Sequence, residues 1–371
     1  MAIYRFDEIA INSTKKKKPT EEDKAHYIGL EHIDPGCFNI VRWGSDVAPT
    51  GDKLLMQKGD VLFGKRRAYQ RKVGIAPFDG IFSAHGMVLR PNTKIIDANY
   101  FPFFISSDRF METAVRISVG GLSPTINWKD LAKQEFDLPS LEEQKVLADK
   151  LWAAYRLKEG YKKLLAATDE VVKSQFIEMV GDPRNNPKGW PTKRLSELAE
   201  YSIGLTYKPE QICDDGTIVL RSGNIQDGKI SFSDIVRVNA PIKESLFVKE
   251  DDILMCSRNG SASLVGKVAM IPDINEPMTF GAFMTIIRSA EAKYLYLYFQ
   301  SQDFRERVSE GKSSTMNQIT QKMLDKIEVP FPDKDVRETL SAIASQADKS
   351  KFELKQCIEH IDKVIKSLIN G

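Results

Sequence analysis

The chain repeats itself, and a repeat constrains architecture more tightly than any propensity because both copies must satisfy the same packing. The strand-like run Asp60-Val61-Leu62-Phe63 returns 192 residues later as Asp252-Ile253-Leu254-Met255, Val73-Gly74 as Val265-Gly266, and His32-Ile33 as Asn224-Ile225. Further on, Ser107 and Phe110 reappear as Ser301 and Phe304, and Ile126 and Leu131 as Ile319 and Leu324. The offset drifts between 192 and 198 over the globular parts and then settles at 193. A drifting offset marks loop insertions, whereas a constant one marks a stretch whose length matters. At 371 residues the chain has room for two such copies, each with its own core.

The constant stretch has helical spacing. Leu147, Leu151, Ala154, Tyr161, Leu165, Thr168 and Val172 step by threes and fours, and 193 residues on the register reads Leu340, Ala344, Ala347, Leu354, Ile358, Ile361 and Ile365. Lys158 and Lys351 fill the one remaining seam position in each copy. A 3-4 spacing held this long is a coiled-coil seam, narrower than the apolar face of a helix lying on its own domain. Ser140 and Glu143 have the spacing of a capping box; the second copy keeps a cap residue, Asp333, but has Val336 where the glutamate stood. Gly181-Asp182-Pro183 stops the first helix, and Asn370-Gly371 falls at the matching place. A helix over 141–180 is about 60 Å long. Gly160 in its middle costs about 1 kcal/mol relative to alanine, which suggests a close approach or a slight bend.

These signals divide the chain into a first domain at 1–139, a first long helix at 140–181, a second domain at 182–332 and a second long helix at 333–371. The fold class expected is α+β: two mixed domains joined by a pair of long helices whose chain order makes them antiparallel, with an approximate two-fold between the copies. Duplex DNA has that same symmetry between its strands, so two-fold proteins read two half-sites.

The first domain carries a local charge bias. Nine Lys or Arg and only two acidic residues, Asp60 and Asp79, lie from Lys53 to Lys94. The density peaks at Lys65, Arg66, Arg67, Tyr69, Gln70, Arg71 and Lys72, directly after a strand. Cations interleaved with Tyr and Gln suit a loop that grips phosphates and offers donors to base edges, although a charge run is more often a solvated face. Lys15 to Lys18 is expected to be a mobile loop. The second copy has Ser257-Arg258-Asn259 at the matching place, so readout there would lean on Asn259, Asn224, Ser222 and Ser257, with Arg221 and Arg258 as the strong donors. A third shared element precedes each helix: Gly120-Gly121-Leu122-Ser123-Pro124-Thr125-Ile126-Asn127 faces 313–320, with Ser123, Thr125, Asn127, Thr315 and Asn317 as candidate DNA contacts. Small residues there allow close approach to a ligand, or serve only as a turn.

Other classes fit poorly. The apolar runs are too short to span a membrane and the N-terminal residues lack a signal-peptide pattern, so a cytoplasmic protein is expected. Cys37, Cys213, Cys256 and Cys357 do not group with the four histidines at metal-ligand spacing; buried free thiols and no metal are expected. A formal net charge of +2 decides nothing about nucleic acid. Gly311-Lys312-Ser313 has Glu306 where a P-loop needs its first glycine. Pro332-Asp333 with Glu353-Leu354-Lys355 has the spacing of a nuclease motif, but it lies along the second helix with Leu354 in the seam. No catalytic residue is assigned. A coiled-coil adaptor with two protein-binding domains is the alternative from another class.

The duplicated unit, the element Gly120 to Asn127, the helix start Leu138-Pro139-Ser140-Leu141-Glu142-Glu143-Gln144 and the long helix after it together resemble the specificity subunits of type I restriction-modification systems. The resemblance covers essentially the whole chain. It implies two target-recognition domains similar to the DNA-binding domain of an adenine methyltransferase, and helices that space them. It also implies double-stranded DNA as ligand and two modification methyltransferase subunits, holding S-adenosylmethionine, as partners docked on the helices. A restriction translocase would join them, and this chain itself would bind no cofactor. The second helix start, Phe331-Pro332-Asp333-Lys334-Asp335-Val336-Arg337, departs from the pattern, which makes docking there less secure.

Overall fold

The computed structural model describes residues 2–310 and 317–370 and resolves two compact units. Unit 1 holds residues 1–163 together with 354–371, and unit 2 holds 164–353, so each unit contains a globular part and a segment of both long helices.

In unit 1 the central strand Val61–Phe63 is flanked by the antiparallel strands Val73–Ile75 and Met87–Pro91, with Ala10–Ser13 beyond the latter. A second four-stranded sheet runs Lys16–Lys17, Lys53–Met56, Gly80–Phe82, Tyr27–Ile28. The lysine run at 15–18, expected as a mobile loop, therefore forms a short strand: Lys16 pairs with Leu54, Lys17 pairs with Lys53 and forms an ion pair with Asp23. A ribbon of Ala2–Arg5 against Glu135–Leu138 closes the domain ahead of the first long helix. Phe6, Phe104, Phe110 and Phe136 interlock at its centre, each nearly or fully buried.

Unit 2 repeats the plan. Ile253–Cys256 lies between Val268–Met270 and Met284–Arg288, and the ribbon Thr192–Arg194 with Glu328–Pro330 precedes the second long helix. Ladder register corrects one sequence match: Phe63 faces Val73 and Met255 faces Val268, so Val73 corresponds to Val268 and not to Val265. The connecting loop is three residues longer in the second copy.

Both copies bury the same ion pair at the mouth of the central strand. Arg90 donates to Asp60 at 2.7 and 2.9 Å, and Arg288 donates to Asp252 at 2.8 and 2.6 Å. Each carboxylate also accepts the amide three residues earlier, Gln57 or Lys249, which closes the turn into the strand. Asp252 is 2 % exposed while the Arg288 side chain is about one-third exposed, so Asp252→Ala strips a partly solvated guanidinium of its counter-charge and opens the turn; the expected loss is about 2 kcal/mol. Urea denaturation of unit 2 checks it, and a change below about 1 kcal/mol would mean that water replaces the carboxylate.

The long helices are Leu141–Val180 and Lys334–Asn370. Ser140 and Glu143 form the capping box: Glu143 N donates to Ser140 Oγ, and Ser140 N donates to Glu143 Oε2. Asp333 makes no side-chain cap bond among the described residues; its carbonyl accepts from Arg337 N. Gly181, at φ +86°, ends the first helix and donates its amide to Ile177 O. A Cβ at Gly160 would meet nothing within 4 Å, so close approach within this chain does not account for that glycine.

Within each unit the helix segments run antiparallel. In unit 1, Leu147 and Trp152 of the first helix pack in one cluster with Ile365, Leu368 and Ile369 of the second, and Lys158 reaches Asp362 at 2.5 Å. In unit 2, Phe176 and Val180 pack with Leu340, and Lys351 reaches Asp169 at 2.8 Å. The two ion pairs are copies of one another, because Lys351 lies 193 residues after Lys158 and Asp362 lies 193 after Asp169. Leu151, Leu340 and Ala347 are buried, and the other seam residues, Leu147, Ala154, Tyr161, Leu165, Val172, Leu354, Ile358, Ile361 and Ile365, are partly so.

The buried surface of each helix start is wider than a 3-4 stripe, because the first turns also clasp the domain. Gln144, fully buried, accepts from Asp97 N and donates to the carbonyls of Ile95 and Pro139. At the matching place Arg337 donates to Pro332 O, holds Glu291 with two nitrogens at 3.0 and 2.8 Å, and stacks on Phe331 at 3.9 Å. The second helix start has thus kept the anchor while changing its chemistry. Among the described residues no helix is long and apolar enough to cross a membrane.

Candidate nucleic-acid interface

The chain leaves the central strand of unit 1 at Gly64, whose amide donates to Lys72 O and closes the loop between. A short helical turn, Ala68–Gln70, sits inside it, pinned by the buried Ala68 and bounded by Arg67 and Arg71, both left-handed at φ 56° and 52°. A loop held in this way presents its side chains from a fixed frame.

The frame sorts the basic run into two groups. Lys72 turns inward and donates to Leu30 O at 2.6 Å, and Arg71 binds Ser106 O and Asp108 at the start of the helix Asp108–Arg116. Both were expected on DNA; Lys72 and the Nη2 of Arg71 bind internal acceptors and brace the loop, while Arg71 itself stays exposed. The other group is outward. Arg66 lies 3.3 Å from His85 Nε2, Arg67 donates to Ser123 Oγ at 3.2 Å, Tyr69 is 55 % exposed, and Gln70 is half-buried. Burial and the nearby Lys16 push the Lys65 ammonium below its usual range. Burial, Arg66, Lys65 and Lys53 do the same to the His85 imidazole. None of Lys16, Lys53, Lys65, Arg66 and Arg67 forms an ion pair among the described residues, so this patch keeps its positive charge. His85, Lys16 and Lys53 were missed as site residues because they come from other strands and loops.

The third shared element closes over this patch. Ile126 N donates to Lys65 O, Arg66 and Thr125 form an antiparallel bridge, and Arg67 N donates to Pro124 O at 2.7 Å. Thr125 Oγ1 bonds Ser123 O. Asn127 starts the helical turn Trp128–Leu131 instead, its carbonyl accepting from Asp130 and Leu131.

Unit 2 makes the same three backbone contacts: Ile319 N to Ser257 O, the bridge between Arg258 and Gln318, and Asn259 N to Asn317 O. The frame is conserved between the copies while the side chains on it differ. Phe283 stands where His85 does, since Arg66 N donates to His85 O and Arg258 N to Phe283 O; the Arg258 guanidinium lies 5.8 Å from the Phe283 ring. The 198-residue offset of these two residues is the signal that would have found them.

Several expected contacts of the second copy are consumed by the fold. Asn224, 1 % exposed, accepts from Arg221 N and donates to Ser231 O and Asp234 O, so its amide has nothing left for a base. Ser257 is buried with its hydroxyl on Phe283 O. Arg221 is partly neutralised by Asp234 at 3.1 Å. Arg258, held by Gln318, remains exposed; Asn259 bonds Ser222, and Asn317 bonds Gly260 O. Thr315 lies outside the described residues.

The nuclease-like and metal-binding spacings are not assembled into sites among the described residues. The nuclease-like spacing places Asp333 and Glu353 about 30 Å apart along one helix. No cluster of three metal-ligating side chains occurs among the described residues. The four cysteines are free, but only Cys256 is buried, its thiol pushed up to about 11 by burial; the expectation of four buried thiols is corrected for Cys37, Cys213 and Cys357, which are partly exposed.

Comparison with known proteins agrees with the duplication. The type I restriction-modification DNA specificity domain matches residues 3–166 and again 187–362. The StySPI specificity subunit of a type I restriction enzyme from Salmonella potsdam is 31% identical over 183 residues, 46% of this chain and 39% of that protein. The EcoKI specificity subunit of Escherichia coli K12 is 28% identical over 198 residues, 50% of this chain and 42% of that protein. The chain thus aligns with about two-fifths of the length of these two relatives. The MjaVIII specificity subunit of Methanocaldococcus jannaschii aligns over 97% of this chain and 90% of its own length at 22% identity. Among solved structures, a chain from work on complex assembly and conformational transition of the type I R-M system superposes with a TM-score of 0.60 at 19% identity, covering 99% of this chain and 96% of that one. The S subunit from M. genitalium gives 0.55 at 15%, covering 99% and 94%. These likenesses speak for the fold, and with the family match across both copies the chain belongs to the type I restriction-modification DNA specificity domain family.

Proposed function

We propose that this chain recognises a two-part DNA target, one half-site per domain, as the specificity subunit of a type I restriction-modification complex, and performs no chemistry itself. The observation that carries this reading is the unneutralised cluster of Lys65, Arg66 and Arg67, locked by backbone bonds to the loop 119–125, with the same frame rebuilt in unit 2. Phosphate contacts from such a cluster fix position, and the divergent side chains of the second frame suit a different half-site. The names of the relatives, specificity subunits of type I restriction enzymes, support assembly with partner subunits, and the long helices are the surface proposed for their docking. These partners would be two modification methyltransferases, with S-adenosylmethionine bound on them, and a restriction translocase.

The methylation pattern of the host genome tests the reading: a split motif with a fixed gap is expected, and its duplex then serves as the binding probe. Arg66→Ala with Arg67→Ala should lower the slope of log affinity against log salt by about 1.8, at about 0.9 for each phosphate no longer neutralised. An unchanged slope would make the loop an ordinary solvated face.

A further inference from the structure

The loop 119–125 carries one residue that neither the fold nor phosphate binding explains. Val119 and Thr125 exchange both backbone hydrogen bonds, at 3.0 and 2.9 Å, so the segment between them is a closed loop. Its base is fixed to the basic loop through Arg66, Arg67 and Lys65, as described above. At its apex stands Leu122, 97 % exposed. Gly120, at φ +112°, makes the turn, and a Cβ on Gly121 would meet nothing within 4 Å, so the tip stands clear of the domain. Single exposed leucines are ordinary on protein surfaces. This one differs in its setting: it projects from a loop closed at its base, whose neighbours Arg66 and Arg67 lack carboxylate partners among the described residues. A polyanion drawn to those cations comes to lie beside the loop that carries this leucine.

Resting on the DNA-reading function above, we infer that Leu122 is a wedge that inserts between adjacent base pairs of the half-site read by the first domain. An apolar side chain pushed between base steps partly unstacks them and kinks the duplex, which costs least at flexible pyrimidine–purine steps. Leu122 would thereby supply sequence preference without a hydrogen bond to any base edge. The cations hold the backbone on either side, and the glycines let the tip advance without a second side chain striking the groove wall.

The test uses the full chain and duplexes carrying the split motif, with 2-aminopurine placed in turn at each position of each half-site. Wild type should raise the fluorescence severalfold at one step of the first domain's half-site. Leu122→Ala should abolish that rise and weaken specific binding roughly tenfold, while the salt slope stays as in wild type because the same phosphates remain neutralised. Leu122→Met, which keeps an apolar wedge, should restore the signal. No fluorescence rise at any position with tightly bound wild type, or an equal rise with Leu122→Ala, would overturn the wedge and leave the DNA-reading function standing. Failure of wild type to bind the duplex at all would overturn that function itself.

Discussion

Reversing both seam lysines, Lys158→Asp with Lys351→Asp, should separate the helix segments in both units. Lys158 and Lys351 have side chains only 11% and 18% exposed, and each reaches an aspartate on the opposite helix. Burial pulls the Lys351 ammonium down, but Asp169 and Asp348 outweigh it and leave the group above its usual range. A carboxylate placed there is both desolvated and set against another carboxylate, a loss of about 3 kcal/mol at each site. Two such losses approach the whole stability of an ordinary domain. Lys→Met at the same positions should cost far less, since Asp362 and Asp169 are about half exposed and can hydrate. Adding Asp362→Lys and Asp169→Lys to the reversed pair should restore most of the loss. Thermal melts across the four combinations give the coupling directly; a reversed pair as stable as wild type would show that the lysines take no part in helix pairing.

If the chain reads a two-part target as proposed, inserting one heptad in each long helix, after Leu165 and after Ile358, should lengthen the gap between the half-sites and leave the half-sites themselves unchanged. The first long helix is unbroken from Leu141 to Val180, and its two ends belong to different units, so seven residues add about 10 Å along it while preserving the 3-4 register. On B-DNA that is about three base pairs, with helical phase opposing a full shift. Exchanging residues 1–139 for those of another family member should do the converse, changing one half-site and keeping the gap. Selection from a randomised duplex library reads both outcomes. An unaltered gap after the insertion would reduce the helices to a docking surface.

The architecture was legible because it is written twice. A 193-residue offset held through the helices exposed both the seam and the lysines in it, and the central strand of each copy followed from one matched run. The site was less legible, for physical reasons. Arg71 and Lys72 look like Arg66 and Arg67 in sequence, but the acceptors that capture them, at Ser106, Asp108 and Leu30, are brought near only by folding. Asn224 has the chemistry of a base reader, yet its amide is used up closing a turn. His85 and Phe283 join the frame through backbone bonds and share no residue type, so only the 198-residue offset, carried by Arg90 and Arg288, aligns them. Insertions also misled: the extra residues after Cys256 made Val265 look like the partner of Val73.

The two helix anchors differ in what they demand of their domains. Gln144 grips only main-chain atoms of Ile95, Asp97 and Pro139, which any sequence with the same backbone path supplies. Arg337 grips the Glu291 carboxylate and the Phe331 ring, and these are side chains that an incoming domain must bring with it. At the helix starts, therefore, the first anchor asks no particular side chain of its domain, whereas the second needs an acid at the place of Glu291. Farther along, Trp152 and Tyr155 pack on Phe38 and Phe103, so an incoming first domain must still bring aromatic or apolar partners there.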